Sequence, residues 1–189
     1  FRRVSQSFVD VPITADGIDT VAFLLALESL LKFFELFAPA AAGLASGDII
    51  EDIRRIRTHY LSAPTECRTL ELLVKHEQPQ RRKLATQSLM WCFRGLKFTA
   101  LACRFNLDNP TEELSESFAR SWDAEYSSYF SWVVRPLFKL LVKACPPRAQ
   151  FYEKLGSPKQ KVERDLSAYL TSIDSQVGML ERFYKEGKQ

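Results

Sequence analysis

The sequence predicts a single all-α domain spanning 1–189, and three observations support that fold class. The 189 residues suit one domain and are enough to bury a sizeable core. Hydrophobic residues make up 46% of the chain, whereas its 7 glycines are too few for a turn-rich β-protein. Long apolar segments are separated by prolines, and no strand-like alternation or internal repeat is evident.

The first predicted helix follows an extended N-terminal segment. Residues 1–15 are expected to be extended, and Thr14 or Asp16 is expected to cap a helix over 18–37. Pro39 ends that helix. Because the segment is apolar almost all round, it is expected to be buried or to face a cavity or a ligand.

Six further helices are predicted, and prolines set most of their boundaries. Pro110 is expected in the first turn of a long helix that Pro136 kinks. The predicted ranges are about 42–60, 65–77, 81–105, 110–145, 148–155 and 156–185.

The composition argues against several classes of function. The 26 Lys and Arg residues against 23 Asp and Glu residues give a net charge of only +3, which argues against a nucleic-acid partner. The 4 cysteines form no CxxC pair and have no histidines at metal-ligand spacing, so we expect reduced core thiols and no metal. GxSxG, HExxH and phosphate-loop motifs are absent, so we expect neither an enzyme nor a cofactor.

The chain is expected to be cytoplasmic. Its start, residues 1–5, lacks the apolar segment of a signal peptide. No apolar run approaches the roughly 18 residues that are needed to span a bilayer. Reduced cysteines are typical of an intracellular protein.

A polar stripe on the second predicted helix is the first candidate site. Asp48, Asp52, Arg55 and His59 follow the spacing i, i+4, i+7 and i+11, which places them within an arc of roughly 60°. Isoleucines form the neighbouring stripe, so the polar side chains suit the mouth of an apolar pocket. The alternative is a helix cap and a surface ion pair worth a few tenths of a kcal/mol.

The fourth predicted helix carries a tryptophan and an arginine on an otherwise apolar surface. Trp91, Arg94 and Phe98 share one side of it. An indole offers a flat ring and an N–H donor, which suits a sugar ring whose hydroxyls reach charged acceptors. The alternative places Trp91 in the core as an ordinary apolar residue.

Two segments resemble the headgroup-site motifs of the glycolipid transfer protein family: DIIEDIRRI over 48–56 and LMWCFRGLKF over 89–98. The opening FVDVP with DGID is similar to that of fungal members of the family. Further matching landmarks follow in order, YFSW over 129–132, ACP over 144–146 and Phe151. The resemblance covers nearly the whole chain.

The resemblance implies a two-layer helical sandwich of about eight helices that encloses a hydrophobic pocket for ceramide chains. It implies a carrier that moves glycosphingolipids between membranes without energy input. We accordingly expect a monomer whose partners are a sphingolipid and, transiently, a membrane surface.

The resemblance also implies roles for the residues at matching positions. Asp48 would accept hydrogen bonds from the lipid amide and from sugar hydroxyls, and position 52 would hold further hydroxyls. Trp91 would stack under the first sugar, and position 55 would supply positive charge. The predicted headgroup set is Asp48, Asp52, Arg55, Trp91 and Arg94. Its two carboxylates and two guanidinium groups are near neutral together, which favours a sugar over a phosphate.

Membrane docking is expected at Trp132, with Tyr129 and Lys139 beside it, because aromatic and basic side chains suit the interface. The predicted pocket shields the lipid chains from water, because their exposure to water costs about 0.8 kcal/mol per CH₂. Its predicted lining is Phe23, Leu27, Leu30, Phe33, Phe34, Leu96, Phe98 and Phe183.

Three positions depart from the family pattern. The family has Asn where Asp52 stands, usually Lys where Arg55 stands, and His where Phe130 stands. Asp52 accepts hydrogen bonds but does not donate them, and Arg55 keeps the positive charge. The family His contacts the ceramide amide oxygen, and losing that bond at Phe130 costs on the order of 1 kcal/mol. Phe130 and Asp52 favour an alternative hypothesis, a sensor that binds a sphingolipid, including ceramide 1-phosphate, without efficient transfer.

Overall fold

The computed structural model describes residues 6–37, 39–130 and 135–187, and helices dominate this part of the chain. The all-α fold class that the sequence predicts is confirmed. The helices of the described part are α1 (Thr20–Phe37), α2 (Pro39–Ser62), α3 (Leu70–Glu77), α4 (Leu84–Asp108), α5 (Leu114–Ser121), α6 (Arg135–Lys143), α7 (Arg148–Leu155) and α8 (Lys159–Glu186).

A small hairpin precedes α1, although the sequence predicted no strand. Its strands are β1 (Ile13–Thr14) and β2 (Gly17–Ile18), which pair antiparallel. Gly17 has a φ of 126°, and a Cβ atom there would lie 1.8 Å from Glu71 Oε2. The buried Glu71 carboxylate accepts a hydrogen bond of 2.8 Å from the Ile18 N–H. A contact between residues 53 positions apart therefore fixes the hairpin, and local periodicity does not reveal it.

The start of α1 differs from the prediction. Asp19 caps the helix, because its Oδ1 accepts a hydrogen bond of 2.8 Å from the Ala22 N–H. Thr14 and Asp16, the predicted caps, shape the hairpin turn instead, where Thr14 Oγ1 accepts from the Asp16 N–H at 3.3 Å.

The single long helix predicted over 110–145 is wrong. After α5 the chain forms a π-helical turn at Trp122–Tyr126 and a 3₁₀ turn at Ser127–Tyr129. Pro136 is the second residue of α6, where its missing N–H breaks no helical hydrogen bond, so it produces no kink. The interruption lets the aromatic side chains of this segment turn towards α4.

The connection between α2 and α3 is longer than predicted. Thr69 caps α3 by accepting a hydrogen bond of 3.3 Å from the Leu72 N–H, so the helix starts later than residue 65. Glu77, at the end of α3, in turn caps the next helix. Its carboxylate accepts from the N–H groups of Ala85 at 2.9 Å and Thr86 at 2.7 Å.

The core is centred on α4, which packs against α2, α3, α5 and α8. Each of these helices buries one apolar stripe against it. The four cysteines carry free thiols, as the sequence predicted. Fully buried members of the core include Phe8, Phe23, Ile56, Leu89, Ile173 and Leu180.

The hairpin gives a stability prediction. Gly17→Ala is expected to lower the free energy of unfolding by about 2 kcal/mol or more, because the backbone at positive φ is strained and the added Cβ displaces the buried Glu71 carboxylate. Gly47→Ala is the matched control, since a Cβ there meets nothing within 4 Å. Alanine in that helix is expected to raise stability by about 0.5–1 kcal/mol. Urea unfolding measures both, and equal effects of the same sign would contradict the proposed role of Gly17.

Candidate functional site

The polar face of α2 holds the predicted headgroup carboxylates. Asp52 is half-buried, and its Oδ1 accepts a hydrogen bond of 2.7 Å from Ser88 Oγ on α4. Arg55 Nη1 lies 3.8 Å from the same oxygen, while Arg55 Nε donates to Glu51 Oε1 at 3.0 Å. Asp48 is exposed one turn before Asp52, and its charge acts on that carboxyl. The structure therefore brings Asp48, Asp52 and Arg55 together.

The Asp52 carboxyl has a perturbed pKa. Burial is the main cause and raises the pKa above its ordinary value. The hydrogen bond from Ser88 and the charge of Arg55 lower the pKa, whereas the charges of Asp48 and Glu51 raise it further. The hydrogen bond from Ser88 is the larger of the two contacts that favour the ionised form of Asp52.

Glu51 and Arg54 form an ion pair beside the predicted headgroup set. Arg54 Nε and Nη2 each donate to Glu51 at 2.7 Å, and these hydrogen bonds lower the pKa of Glu51 to about 2. The pair adds one negative and one positive charge. The polar face consequently stays near neutral.

Trp91 and Arg94 meet the aromatic segment that follows α5. The guanidinium carbon of Arg94 lies 4.0 Å from the centre of the Tyr129 ring and 5.2 Å from that of the Trp91 ring. Trp91 makes an edge contact with Tyr129, with ring centres 6.3 Å apart, and its ring centre is 5.7 Å from that of Phe130. Trp91 follows Ser88 by three residues, so the two side chains are about 60° apart around α4.

Phe130 belongs to an aromatic stack. Its ring lies 5.2 Å from Trp122 at an angle of 21°, and 5.0 Å from Tyr126. Trp122 in turn stacks on Phe138 at 3.9 Å and 16°. Position 130 thus contributes ring packing where the family pattern has a hydrogen-bonding histidine.

Sequence reasoning missed Ser88 and Tyr126. Ser88 is a small polar residue one turn before Trp91 on an apolar helix, and that placement was an available signal. Tyr126 lies over Gly95, where a Cβ would be 3.9 Å from the phenol oxygen, and its ring stacks on Phe98 with centres 4.9 Å apart. Burial raises the pKa of Tyr126 to about 12. Its position depends on the π-helical turn, which the sequence pattern does not reveal.

Comparison with known proteins identifies the family. The family model described as Glycolipid transfer protein (GLTP) matches residues 18–157. The chain belongs to the glycolipid transfer protein family. It is 37% identical over 190 residues to the glycolipid transfer protein of Aureobasidium melanogenum, in a match that covers 100% of this chain and 94% of that protein.

Two solved structures share the fold of this family member. The crystal structure of HET-C2, a fungal glycolipid transfer protein, has a TM-score of 0.91 at 37% identity and covers 97% of this chain and 95% of that chain. Human ceramide-1-phosphate transfer protein in complex with 12:0 ceramide-1-phosphate has a TM-score of 0.85 at 18% identity, covering 96% and 93%. The second match shows the fold alone. The predicted resemblance to fungal members of the family is confirmed.

The predicted pocket-lining residues of this family member lie in or against its core. Phe23, Leu27, Leu30 and Leu96 are buried members of the core. Phe34 and Phe183 are half-buried and pack against that core, Phe98 is half-buried within the aromatic stack, and the side chain of Phe33 lies outside the described residues.

An open groove of about 400 Å³ lies elsewhere, between α1 and α2. An ion pair of 2.7 Å joins Arg57 and Glu28 on its wall. Arg57 is on the side of α2 opposite Asp48, so this groove is distinct from the predicted pocket. Its other lining residues are Val21, Leu24, Leu25, Tyr60 and Leu61.

The residues predicted to dock on a membrane differ in their surroundings. Trp132 lies outside the described residues. Tyr129 is 45% exposed, yet its ring also contacts Arg94, so it borders the headgroup set. Lys139 is exposed on α6 beside Leu140, which is 60% exposed. Among the described helices, none has the length and apolar character that crossing a membrane requires.

The hydrogen bond between the two helices gives a prediction for Asp52. Ser88→Ala is expected to raise the pKa of Asp52, because it removes the hydrogen bond that favours the carboxylate. Arg55→Gln is expected to raise it by a smaller amount, since the charge of Arg55 is the weaker influence. NMR titration of the Asp52 carboxyl measures both shifts. An unchanged Asp52 titration in Ser88→Ala would contradict the geometry.

Proposed function

We propose that this member of the glycolipid transfer protein family binds a glycosphingolipid and moves it between membranes as a carrier, without enzymatic chemistry. The observation that carries the proposal is the hydrogen bond between Asp52 on α2 and Ser88 on α4, because Asp48 lies one turn before Asp52 and Trp91 lies one turn after Ser88. A sugar needs acceptors for its hydroxyls and a flat apolar surface for its ring, and Asp48, Asp52 and Trp91 offer both.

Two carboxylates have different parts in the proposed headgroup contact. Asp48 is exposed and has its oxygens available to the lipid amide and to sugar hydroxyls. Asp52 already accepts from Ser88 through Oδ1, which leaves Oδ2 for a second hydroxyl donor. Arg55 and Arg94 keep the local charge near neutral, so a phosphate gains little there.

We propose that these polar contacts select the headgroup, because the apolar interior does not distinguish one lipid chain from another. Moving a lipid chain from a bilayer into another apolar environment avoids exposing it to water, which would cost about 0.8 kcal/mol per CH₂. We assign the chains to the region around Phe23, Leu27, Leu30 and Leu96, which are buried members of the apolar core.

Membrane contact is proposed at the middle of α6 and at the segment before that helix. Tyr129, Lys139 and the exposed Leu140 combine an aromatic, a basic and an aliphatic side chain. Such a combination suits the headgroup region of a bilayer. Trp132 lies between them in the sequence, and its assignment to the same surface rests on the family resemblance.

The second candidate function is a sphingolipid sensor that binds without efficient transfer. Phe130 is the observation that favours it, since its ring stacks on Trp122 and offers no hydrogen bond to a ceramide amide. The shared fold with a ceramide-1-phosphate transfer protein makes ceramide 1-phosphate the competing ligand.

Vesicle-to-vesicle transfer of labelled lipids tests the carrier. We expect faster transfer of a monoglycosylceramide than of ceramide 1-phosphate. Asp48→Ala is expected to lower glycolipid transfer at least about tenfold, because it removes a charge-assisted hydrogen bond worth about 1.5–3 kcal/mol. Asp108→Ala is the matched control, an exposed carboxylate at the far end of α4.

The same preparation separates the two candidate functions. Binding of the glycolipid measured by tryptophan fluorescence, together with transfer, supports the carrier. Binding without transfer supports the sensor. Preferred transfer of ceramide 1-phosphate, or equal activity of the Asp48→Ala and wild-type proteins, would overturn the proposed headgroup assignment.

Position 130 gives a further prediction. Phe130→His restores a hydrogen-bonding group and is expected to bind the glycolipid about fivefold more tightly than Phe130→Leu, which corresponds to about 1 kcal/mol. Phe130→Leu is the control because it also loses the stack on Trp122 but gains no donor or acceptor. Equal dissociation constants for the two variants would argue that position 130 does not face the lipid amide.

A further inference from the structure

The corner between α2 and α3 brings together three side chains that commonly bind metals. His59 lies in the last turn of α2, and His76 lies in the last turn of α3. Cys67 lies in the connection between them. One ring nitrogen from each histidine and the cysteine Sγ all lie within 4.8 Å of one another. The spacing along the chain is irregular, so the sequence predicted no metal here.

The geometry is close to that of a tetrahedral zinc site. His59 Nε2 lies 3.1 Å from His76 Nδ1, and the two rings are inclined at 52° with centres 5.1 Å apart. Zinc bonds of about 2.0–2.1 Å to nitrogen and about 2.3 Å to sulfur place tetrahedral ligand atoms about 3.3–3.6 Å apart. Movements of about 1 Å or less therefore convert the observed arrangement into a coordination shell.

The backbone holds the cysteine in place. The Cys67 N–H donates to the Ala63 carbonyl at 3.0 Å, and the Cys67 carbonyl accepts from Thr20 Oγ1 at 2.8 Å. The Cys67 side chain is fully buried. Both histidines are half-buried, so the corner is sheltered on the sulfur side and reachable from solvent on the imidazole side.

The surrounding charge favours a cation. Glu77 follows His76, and its negative charge acts on both His59 and Cys67. Its carboxylate oxygens are engaged by the N-terminus of α4, at Ala85 and Thr86, so Glu77 supplies charge without being a ligand.

We propose that His59, Cys67 and His76 form a zinc site with a fourth position open to water. Zinc suits this set because two imidazoles and one thiolate are among the ligands it prefers, in tetrahedral geometry. On zinc binding, the imidazole that donates across 3.1 Å keeps its proton by moving it to its other ring nitrogen, so that both facing nitrogens present lone pairs to the ion, and the Cys67 thiol releases its proton to water to become the thiolate ligand. The ion joins the end of α2 to the end of α3.

Metal titration of the chelator-treated full chain tests the site. We expect Zn²⁺ to bind with one-to-one stoichiometry in calorimetry and to raise the thermal unfolding midpoint, since an ion that binds only the folded state stabilises it. Co²⁺ is expected to give a thiolate-to-cobalt charge-transfer band and the intense visible bands of a four-coordinate ion. Zinc binding with no thiolate band would overturn the assignment of Cys67.

Variants identify the ligands. Cys67→Ser and His59→Gln are each expected to weaken zinc binding at least about 100-fold, because each removes one of three protein ligands. Cys145→Ser is the matched control, because it makes the same substitution at a cysteine that lies beside Cys103 and outside the proposed zinc site. Far-ultraviolet circular dichroism checks that each variant is folded. If Cys67→Ser disturbs the packing of this buried position, His59→Gln still tests the site, because His59 is half-buried. Zinc affinity that is equal in Cys67→Ser, His59→Gln and Cys145→Ser would overturn the site.

Discussion

The pairing of α2 with α4 is the constraint on which the candidate headgroup site depends. Ile53 and Ile56 of α2 are buried, as is Leu89 of α4, and this apolar surface fixes the rotation of one helix against the other. With the rotation fixed, Asp52 comes within 2.7 Å of Ser88. A rotation of α2 by one residue, about 100°, would break that contact and turn the carboxylates away from Trp91.

The segment after α5 supplies the aromatic side chains that contact Trp91 and Arg94. The π-helical turn at Trp122–Tyr126 adds a residue to the turn, and its rings pack on α4 and on Phe130. An aromatic pair contributes about 0.5–1.5 kcal/mol beyond its buried area, which is similar to the net value of a hydrogen bond. The stack of Phe130 on Trp122 is therefore similar in strength to one hydrogen bond.

The helices and the polar stripe were predictable because each depends on residues close in sequence. Periodicity identified α1, α4 and α8 to within a few residues, and the spacing of Asp48, Asp52 and Arg55 placed them on one face. The hairpin was not predictable, because Glu71 fixes it across 53 positions. The break after α5 was missed because a π-helical turn has no simple periodic signal, and Ser88 acquires its role only from a partner on another helix.

The zinc corner and the headgroup site lie on the same helix, and their separation decides how one acts on the other. His59 is seven residues beyond Asp52, about 10 Å along α2. That distance is about one Debye length at physiological ionic strength, but both side chains are half-buried, so the charge of a bound ion would be only partly screened at Asp52. An ion at His59 would also hold the end of α2 that is nearer to Asp52, a residue that already accepts a hydrogen bond from Ser88. Asp48 lies one turn further from both contacts. Of the two carboxylates of the proposed headgroup site, Asp52 is therefore the one whose position is fixed by a contact between helices, whereas Asp48 is exposed and has more freedom to change its rotamer.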